Sequence, residues 1–151
     1  MDIIIESVKA DDREELTELT KRSKNYWNYG TEQIEKWRDE LTLAEEYIIS
    51  NHVYKAQTKK GIFGFCAYYM EDIITIKLHY LFIHPRYIGK GFGKFLITDF
   101  LNRMTNSRYK RLVLDADPHA EKFYEQFGYK VLRKLESSIT DRYLPIMELK
   151  I

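Results

Sequence analysis

Three glycines at alternate positions, Gly89, Gly91 and Gly93, stand just after the apolar run Leu81-Phe82-Ile83-His84-Pro85 and the arginine Arg86. An amphipathic helical pattern begins at once after them. This order presents bare backbone N–H groups at a helix N-terminus, where a phosphate or pyrophosphate can bind. Glycines suit the turn because a Cβ would keep the ligand off the main chain. Arg86, Lys90 and Lys94 add cations beside it, although each lysine taken singly also fits an ordinary solvated helix end. Two common phosphate motifs fail on spacing. The dinucleotide fingerprint needs Gly-x-Gly-x-x-Gly, and the P-loop needs four residues between its glycines and then Lys-Ser/Thr. Here three residues separate Gly89 from Gly93, and Phe95 follows Lys94.

A second run with chemical potential extends from Leu112 to Tyr129. A short apolar strand stops at Asp115. Asp117 suits an N-cap, and Pro118 suits the first helical position, where its missing N–H costs nothing. Ala120, Phe123, Tyr124 and Phe127 fall at i, i+3, i+4 and i+7, one buried stripe, and Gly128 closes the helix. Periodicity alone makes Tyr124 a core tyrosine. Its phenol, with an ordinary pKa of about 10, is also a workable proton donor.

The segment Arg86-x-x-Gly89-x-Gly91, with the strand end before it, resembles the coenzyme A pyrophosphate loop of the GNAT (GCN5-related) N-acetyltransferases. The downstream run is similar to that family's Asn-x-x-Ala-x-x-Phe-Tyr-x-x-x-Gly-Phe. Ser23-Lys24-x-x-Trp27 and Asp141-Arg142-x-Leu144-Pro145 resemble, more weakly, one bacterial branch acting on small-molecule or protein amines. Two motifs in the right order, one helix and one strand apart, are more specific than either alone.

The resemblance implies an acetyl-CoA-dependent enzyme that moves an acetyl group to a primary amine by direct attack in a ternary complex. The donor would lie on Phe82, Ile83, Arg86, Ile88, Gly89, Lys90, Gly91, Phe92, Gly93, Lys94, His119 and Phe123. In the family, the strand before the glycine loop splays from the next, and the pantetheine arm pairs with its backbone. Tyr124 would protonate the leaving thiolate, whose pKa is roughly 8.5 by analogy with cysteine. The attacking amine must be neutral, and His79 is the candidate base, since an imidazole near 6.5 suits neutral pH. A histidine bonded within a sheet fits His79 equally well, and Glu71, Asp115 or ordered water are alternative bases. His119 stands where many family members carry an asparagine that bonds the pantetheine arm. Tyr26, Trp27 and Tyr29 form either an aromatic wall for an amine or a packed helix corner. The acceptor stays open among a polyamine, an aminoglycoside, a protein N-terminus and a lysine. Homodimers are common in the family. A rival reading is a non-catalytic acyl-CoA sensor or docking module, which keeps the glycine loop without needing Tyr124 as an acid. A small nucleotide-binding protein would need a standard phosphate loop.

At 151 residues the chain suits one domain spanning 1–151. Its 24 basic and 23 acidic residues nearly cancel, so no global field favours nucleic acid or membrane partners. Cys66 is the only cysteine; it excludes an intramolecular disulfide and points to a reducing, cytoplasmic setting. Phe65 and Ala67 beside it suggest a buried structural thiol. The run Met1-Asp2-Ile3-Ile4-Ile5-Glu6 lacks the basic region and long apolar core of a signal peptide, and no stretch approaches membrane-spanning length. No metal ligands are assigned.

The elements that must position these residues follow from pattern. Strands are expected at 3–8, 52–58, 62–70, 73–84, 110–115, 129–136 and 144–150, with turns at Lys59-Lys60-Gly61 and Glu71-Asp72. Asp11 or Asp12 should cap a first helix that buries Leu16 and Leu19, and Thr31 a second that buries Ile34, Trp37 and Leu41. Thr42-Leu43-Ala44-Glu45 reads as a capping box. Helix 91–107 should bury Phe92, Phe95, Leu96, Phe100 and Met104. The class is α+β with a mixed sheet, and the resemblance implies a GNAT-like fold whose central sheet is mostly antiparallel and flanked by helices.

Overall fold

The computed structural model describes residues 2–139 and 141–151, so Met1 of the N-terminal run lies outside the described residues. Its strands are β1 (Ile4–Ser7), β2 (His52–Thr58), β3 (Gly61–Asp72), β4 (Thr75–Ile83), β5 (Arg111–Asp115), β6 (Lys130–Glu136) and β7 (Tyr143–Lys150). Its helices are α1 (Arg13–Asn25), α2 (Thr31–Lys36), α3 (Arg38–Leu41), α4 (Glu45–Ser50), α5 (Phe92–Thr105) and α6 (Glu121–Glu125). The sheet order is β1-β2-β3-β4-β5-β7-β6, with β1–β2, β2–β3, β5–β7 and β6–β7 antiparallel and β4–β5 parallel. The α+β class and mixed sheet are therefore as expected. The described residues form two compact units, 2–68 with 80–102, and 69–79 with 103–139 and 141–151.

In the first unit, Val8, Leu16, Leu19, Leu43, Val53, Phe65 and Ala67 are buried together, with Tyr47, Tyr80 and Phe82 packed against them. Leu16 and Leu19 come from one face of α1, as their spacing requires. Asp12 does not cap that helix through its side chain. A 3-10 turn precedes α1, and the Asp12 carboxylate instead accepts from the Lys9 N–H at 2.9 Å and from Lys55 Nζ at 3.0 Å. Burial alone would raise the Asp12 carboxyl, but the Lys9 amide and the Lys55 ammonium outweigh it and hold it below its ordinary value.

The second expected helix is broken at Trp37 into α2 and α3, with Ile34, Trp37 and Leu41 all buried. Thr42 does not open a capping box; its hydroxyl donates to the Arg38 carbonyl at 2.6 Å, closing the preceding turn. Leu96, Phe100 and Met104 of α5 are buried, but Phe95 is 43% exposed and Ile97 takes the inward place. On a 3.6-residue helix Ile97 projects close to the Phe92–Leu96–Phe100–Met104 arc, while Phe95 projects away from it. Cys66 is buried.

In the second unit, Leu112, Val113 and Leu114 of β5 and Ile146 and Met147 of β7 are buried, and β5 pairs with β7 from Arg111–Lys150 to Asp115–Ile146. The β3–β4 turn is Ile73-Ile74, and the expected turn residues Glu71 and Asp72 still belong to β3. Asp72 makes the turn from its side chain, with Oδ1 accepting the Ile74 N–H at 3.0 Å. No helix among the described residues is long and apolar enough to cross a membrane.

Candidate active site

The glycine loop in the first unit is built by local bonds. After β4 ends, Pro85-Arg86-Tyr87 form one 3-10 turn, held by Tyr87 N–H donating to the His84 carbonyl at 2.8 Å. His84 Nδ1 accepts the Arg86 N–H at 3.1 Å, so its imidazole caps the turn. Burial, then the Arg22 and Arg86 guanidinium groups, push His84 below its ordinary pKa. The same two cations make the loop attractive to an anion. Gly89 and Gly91 have φ of 79° and 88°, and a Cβ on either would meet nothing within 4 Å. That open, side-chain-free surface leads directly into α5, whose 14 residues carry unsatisfied N–H groups at their start. Gly93 is the second residue of that helix. Arg86, Lys90 and Lys94 are exposed, Ile88 is half-buried and Phe92 is buried. A phosphate-bearing ligand fits this cradle.

Upstream, Ile83 is buried and Phe82 half-buried, with the Phe82 ring 6.0 Å from Phe65 and 5.8 Å from Tyr80. The His84 N–H donates to the Phe63 carbonyl at 2.8 Å, continuing the β3–β4 contact past the strand end. Gly64 is the residue that pattern reasoning passed over. A Cβ there would lie 2.7 Å from Ile83 Cδ1 and 2.8 Å from the Phe82 carbonyl oxygen. A glycine inside a run of large apolar strand residues was the available signal of close backbone approach.

The second unit holds the remaining predicted residues. The β4–β5 ladder runs from Thr75–Arg111 to Lys77–Val113, while β5 goes on to Asp115 against β7. His79 follows the end of that ladder, with its ring 5.6 Å from Tyr69 and nearly perpendicular to it. It keeps an exposed face, yet burial against the sheet and then the Lys77 ammonium lower its pKa, while Asp115 opposes them. Asp115 is itself engaged by Lys77 at 3.0 Å. Glu71 is exposed at the end of β3.

Asp117 caps the turn before α6, with Oδ1 accepting the His119 N–H at 3.0 Å. His119 is exposed, and its Nδ1 lies 2.8 Å from the same oxygen. Arg142 donates to Asp117 Oδ2 at 2.9 Å, and both side chains are mostly buried, 11% and 13% exposed. That clamp ties the α6 entrance to the segment before β7. Tyr124 is 8% exposed and meets Phe123 and Tyr129 edge-on at 5.2 and 5.7 Å. Phe123 is half-buried.

The expected aromatic wall is partly occupied from within. Tyr26 and Trp27 meet edge-on and are exposed, whereas Tyr29 pairs with Trp37 at 5.0 Å. Lys24 Nζ stands 5.7 Å from the Tyr29 ring and 5.3 Å from the Trp37 ring. The chain's own ammonium uses these two π-faces.

The family model for the acetyltransferase (GNAT) domain matches residues 26–146. The chain belongs to the GNAT family. Among curated relatives, the uncharacterized N-acetyltransferase ycf52 of Gracilaria tenuistipitata var. liui is 22% identical over 89 residues, 59% of this chain and 49% of the relative. The chain spans about half the length of the curated relatives it matches. Among solved structures, the PaiA N-acetyltransferase of Thermoplasma acidophilum in complex with coenzyme A has a TM-score of 0.81 and 23% identity, covering 100% of both chains. The yncA putative acetyltransferase of Salmonella typhimurium with acetyl-CoA has a TM-score of 0.70 and 15% identity, covering 99% of this GNAT chain and 94% of its own. These two likenesses show the GNAT fold.

Proposed function

We propose that this GNAT chain is an acetyl-CoA-dependent N-acetyltransferase acting on a primary amine. The observation that carries the reading is the loop: two open positive-φ glycines, Gly89 and Gly91, at the start of a 14-residue helix. Coenzyme A and acetyl-CoA in the PaiA and yncA structures support acetyl-CoA as the donor. Backbone N–H groups from Ile88 to Gly93, with Arg86, hold the pyrophosphate, and the β4 end at Phe82 and Ile83 offers main chain to the pantetheine arm. Holding thioester and amine together makes the attack effectively unimolecular. The amine nitrogen attacks the thioester carbonyl, the carbon–sulfur bond breaks, and Tyr124 gives its proton to the leaving thiolate. His79, held neutral at pH 7 by its lowered pKa, takes the proton lost from the amine. His119 and Phe123 complete the donor set. Balanced charge and a lone buried cysteine support a single cytoplasmic domain with no nucleic-acid or membrane partner. Oligomer formation through a homodimer is read directly by size-exclusion chromatography with light scattering.

Calorimetric titration of acetyl-CoA into the wild type and Gly91→Glu tests the reading. Micromolar binding that the variant loses supports a donor in the loop; no heat from demonstrably folded wild type overturns it. Turnover that collapses in Tyr124→Phe with binding intact supports the enzyme over a sensor.

A further inference from the structure

The stop of α6 brings two phenols together within the second unit. The Gly128 N–H donates to the Glu125 carbonyl at 3.1 Å, and the Tyr129 N–H donates to the Tyr124 carbonyl at 3.3 Å. Gly128, with φ of 96°, makes the reversal that this pair of bonds needs. Such a stop folds the side chain after the glycine back onto the residue five positions earlier. Here those side chains are Tyr129 and Tyr124, with ring centroids 5.7 Å apart and planes at 67°. A contact of this kind ordinarily joins two apolar groups. This one joins two hydroxyl-bearing rings.

Tyr129 is 2% exposed, and its hydroxyl has no hydrogen-bond partner among the described residues. A buried hydroxyl left unpaired is unfavourable, and phenylalanine, which the GNAT pattern has after its glycine, would fill the place without it. Burial, and then the neighbouring Tyr124 phenol, push Tyr129 well above its ordinary pKa. Tyr124 is the titratable neighbour that contributes among the described residues. Tyr129 therefore stays a neutral O–H donor, and a charge on Tyr124 is felt at its position. Tyr124 is itself 8% exposed and flanked edge-on by Phe123 at 5.2 Å, so little water can screen or solvate such a charge.

We infer that Tyr129 is a positioning residue for the acid of the reaction: its O–H, unpaired at rest, donates to the Tyr124 oxygen when that oxygen becomes charged. The inference rests on the reading of Tyr124 as the proton donor. As the thioester carbon–sulfur bond breaks, the Tyr124 proton passes to sulfur and leaves a phenolate in a nearly dry place. Tyr129 then donates a hydrogen bond to that phenolate, directly or across one water, and keeps its own proton. The proton lost by the amine goes through His79 to solvent, and solvent returns one to Tyr124, so the count closes over a turnover. A bond that forms only with the charge stabilises the transition state more than the ground state, so it raises kcat without tightening substrate binding.

The experiment uses the full chain with its tyrosines isotope-labelled at the ring Cζ, wild type against Tyr129→Phe, titrated with alkali and followed by NMR. The Tyr124 signal is the one missing from Tyr124→Phe. In wild type Tyr124 should ionise before Tyr129. In Tyr129→Phe the Tyr124 midpoint should rise by about one pH unit, a tenfold loss of acidity, with no fall in thermal stability. Thiol release from acetyl-CoA, with spermidine, kanamycin, an alanyl peptide and Nα-acetyl-lysine as acceptors, supplies the kinetic readout. There kcat should fall about threefold to tenfold, KM stay within about twofold, and the alkaline limb of kcat move up with the NMR midpoint. A purely structural Tyr129 would change thermal stability and leave the Tyr124 titration in place. Identical Tyr124 titrations in the two proteins overturn the inference, as does a Tyr124 that stays protonated in both up to alkaline unfolding. The acid reading fails separately, when Tyr124→Phe turns over acetyl-CoA like wild type; a raised midpoint would then support the hydrogen bond and overturn its use in the reaction.

Discussion

Replacing Gly64 with alanine should weaken the fold and the donor site together. The added Cβ would lie 2.8 Å from the Phe82 carbonyl oxygen, 2.7 Å from Ile83 Cδ1 and 3.5 Å from Leu96 Cδ2. The isoleucine terminus can rotate only into a packed neighbourhood, since Ile83 is buried. The carbonyl is main chain and has no rotamer to change. Relief therefore requires β3 and the end of β4 to part by a few tenths of an ångström. Overpacking of this kind costs about 1–3 kcal/mol. Against it stands a gain of about 0.4–1 kcal/mol from a less flexible unfolded chain. The net expectation is a loss of about 1–2 kcal/mol, a fall in urea midpoint of about 0.5–1 M at a typical slope for a small domain. Acetyl-CoA affinity should fall as well, because the displaced carbonyl belongs to the strand end assigned to the pantetheine arm. Urea denaturation followed by circular dichroism, with calorimetry at matched folded fraction, measures both. A Gly64→Ala midpoint at or above wild type refutes the close approach and the reasoning built on it.

Removing the guanidinium in Arg142→Ala takes the charged donor from Oδ2 of the mostly buried Asp117 carboxylate, while His119 still donates to Oδ1, and should cost about 2 kcal/mol, read as a lower thermal midpoint; an unchanged midpoint would show that solvent already screens the pair. Tyr129 is 2% exposed, and its hydroxyl has no hydrogen-bond partner among the described residues. Tyr129→Phe should therefore be neutral or stabilising by up to about 1 kcal/mol, and clear destabilisation would reveal a partner for the hydroxyl. The His79 imidazole is held below its ordinary 6.5 by burial and then by Lys77. As the neutral base, it is lost when pH falls through that lowered value, so kcat/KM expressed on the concentration of neutral amine should stay level through pH 7 and decline on an acid limb centred below 6.5. A limb at or above 6.5, or one that persists in His79→Ala, assigns the base elsewhere.

The features legible in the chain are those set by neighbours a few residues apart. The Gly89 and Gly91 turn, the Asp117-Pro118 start and the buried stripe of Leu16 and Leu19 all depend on local backbone geometry or helical period. Turn placement was harder. Ile73 and Ile74 carry strong strand propensity, and only the Asp72 side chain bonding back to Ile74 shows why they form the turn. Phe95 and Ile97 exchanged places because both are apolar, and the packed face of α5 decides between them.

Amino-acid order by itself determined the glycine loop, the cap of the last helix and the alternation of strands and helices. Each of these is written in contiguous residues whose φ preferences and periodicity act over one or two turns. Only the tertiary structure decided that Gly64 faces the Phe82 carbonyl, that Arg142 neutralises Asp117, and that Lys24 rests on Tyr29 and Trp37. It alone also gathered Lys59, Lys60 and Lys90 around one cavity. The longest of those pairings join residues 13 to 31 positions apart, and chain folding selects such partners by packing and charge rather than by spacing.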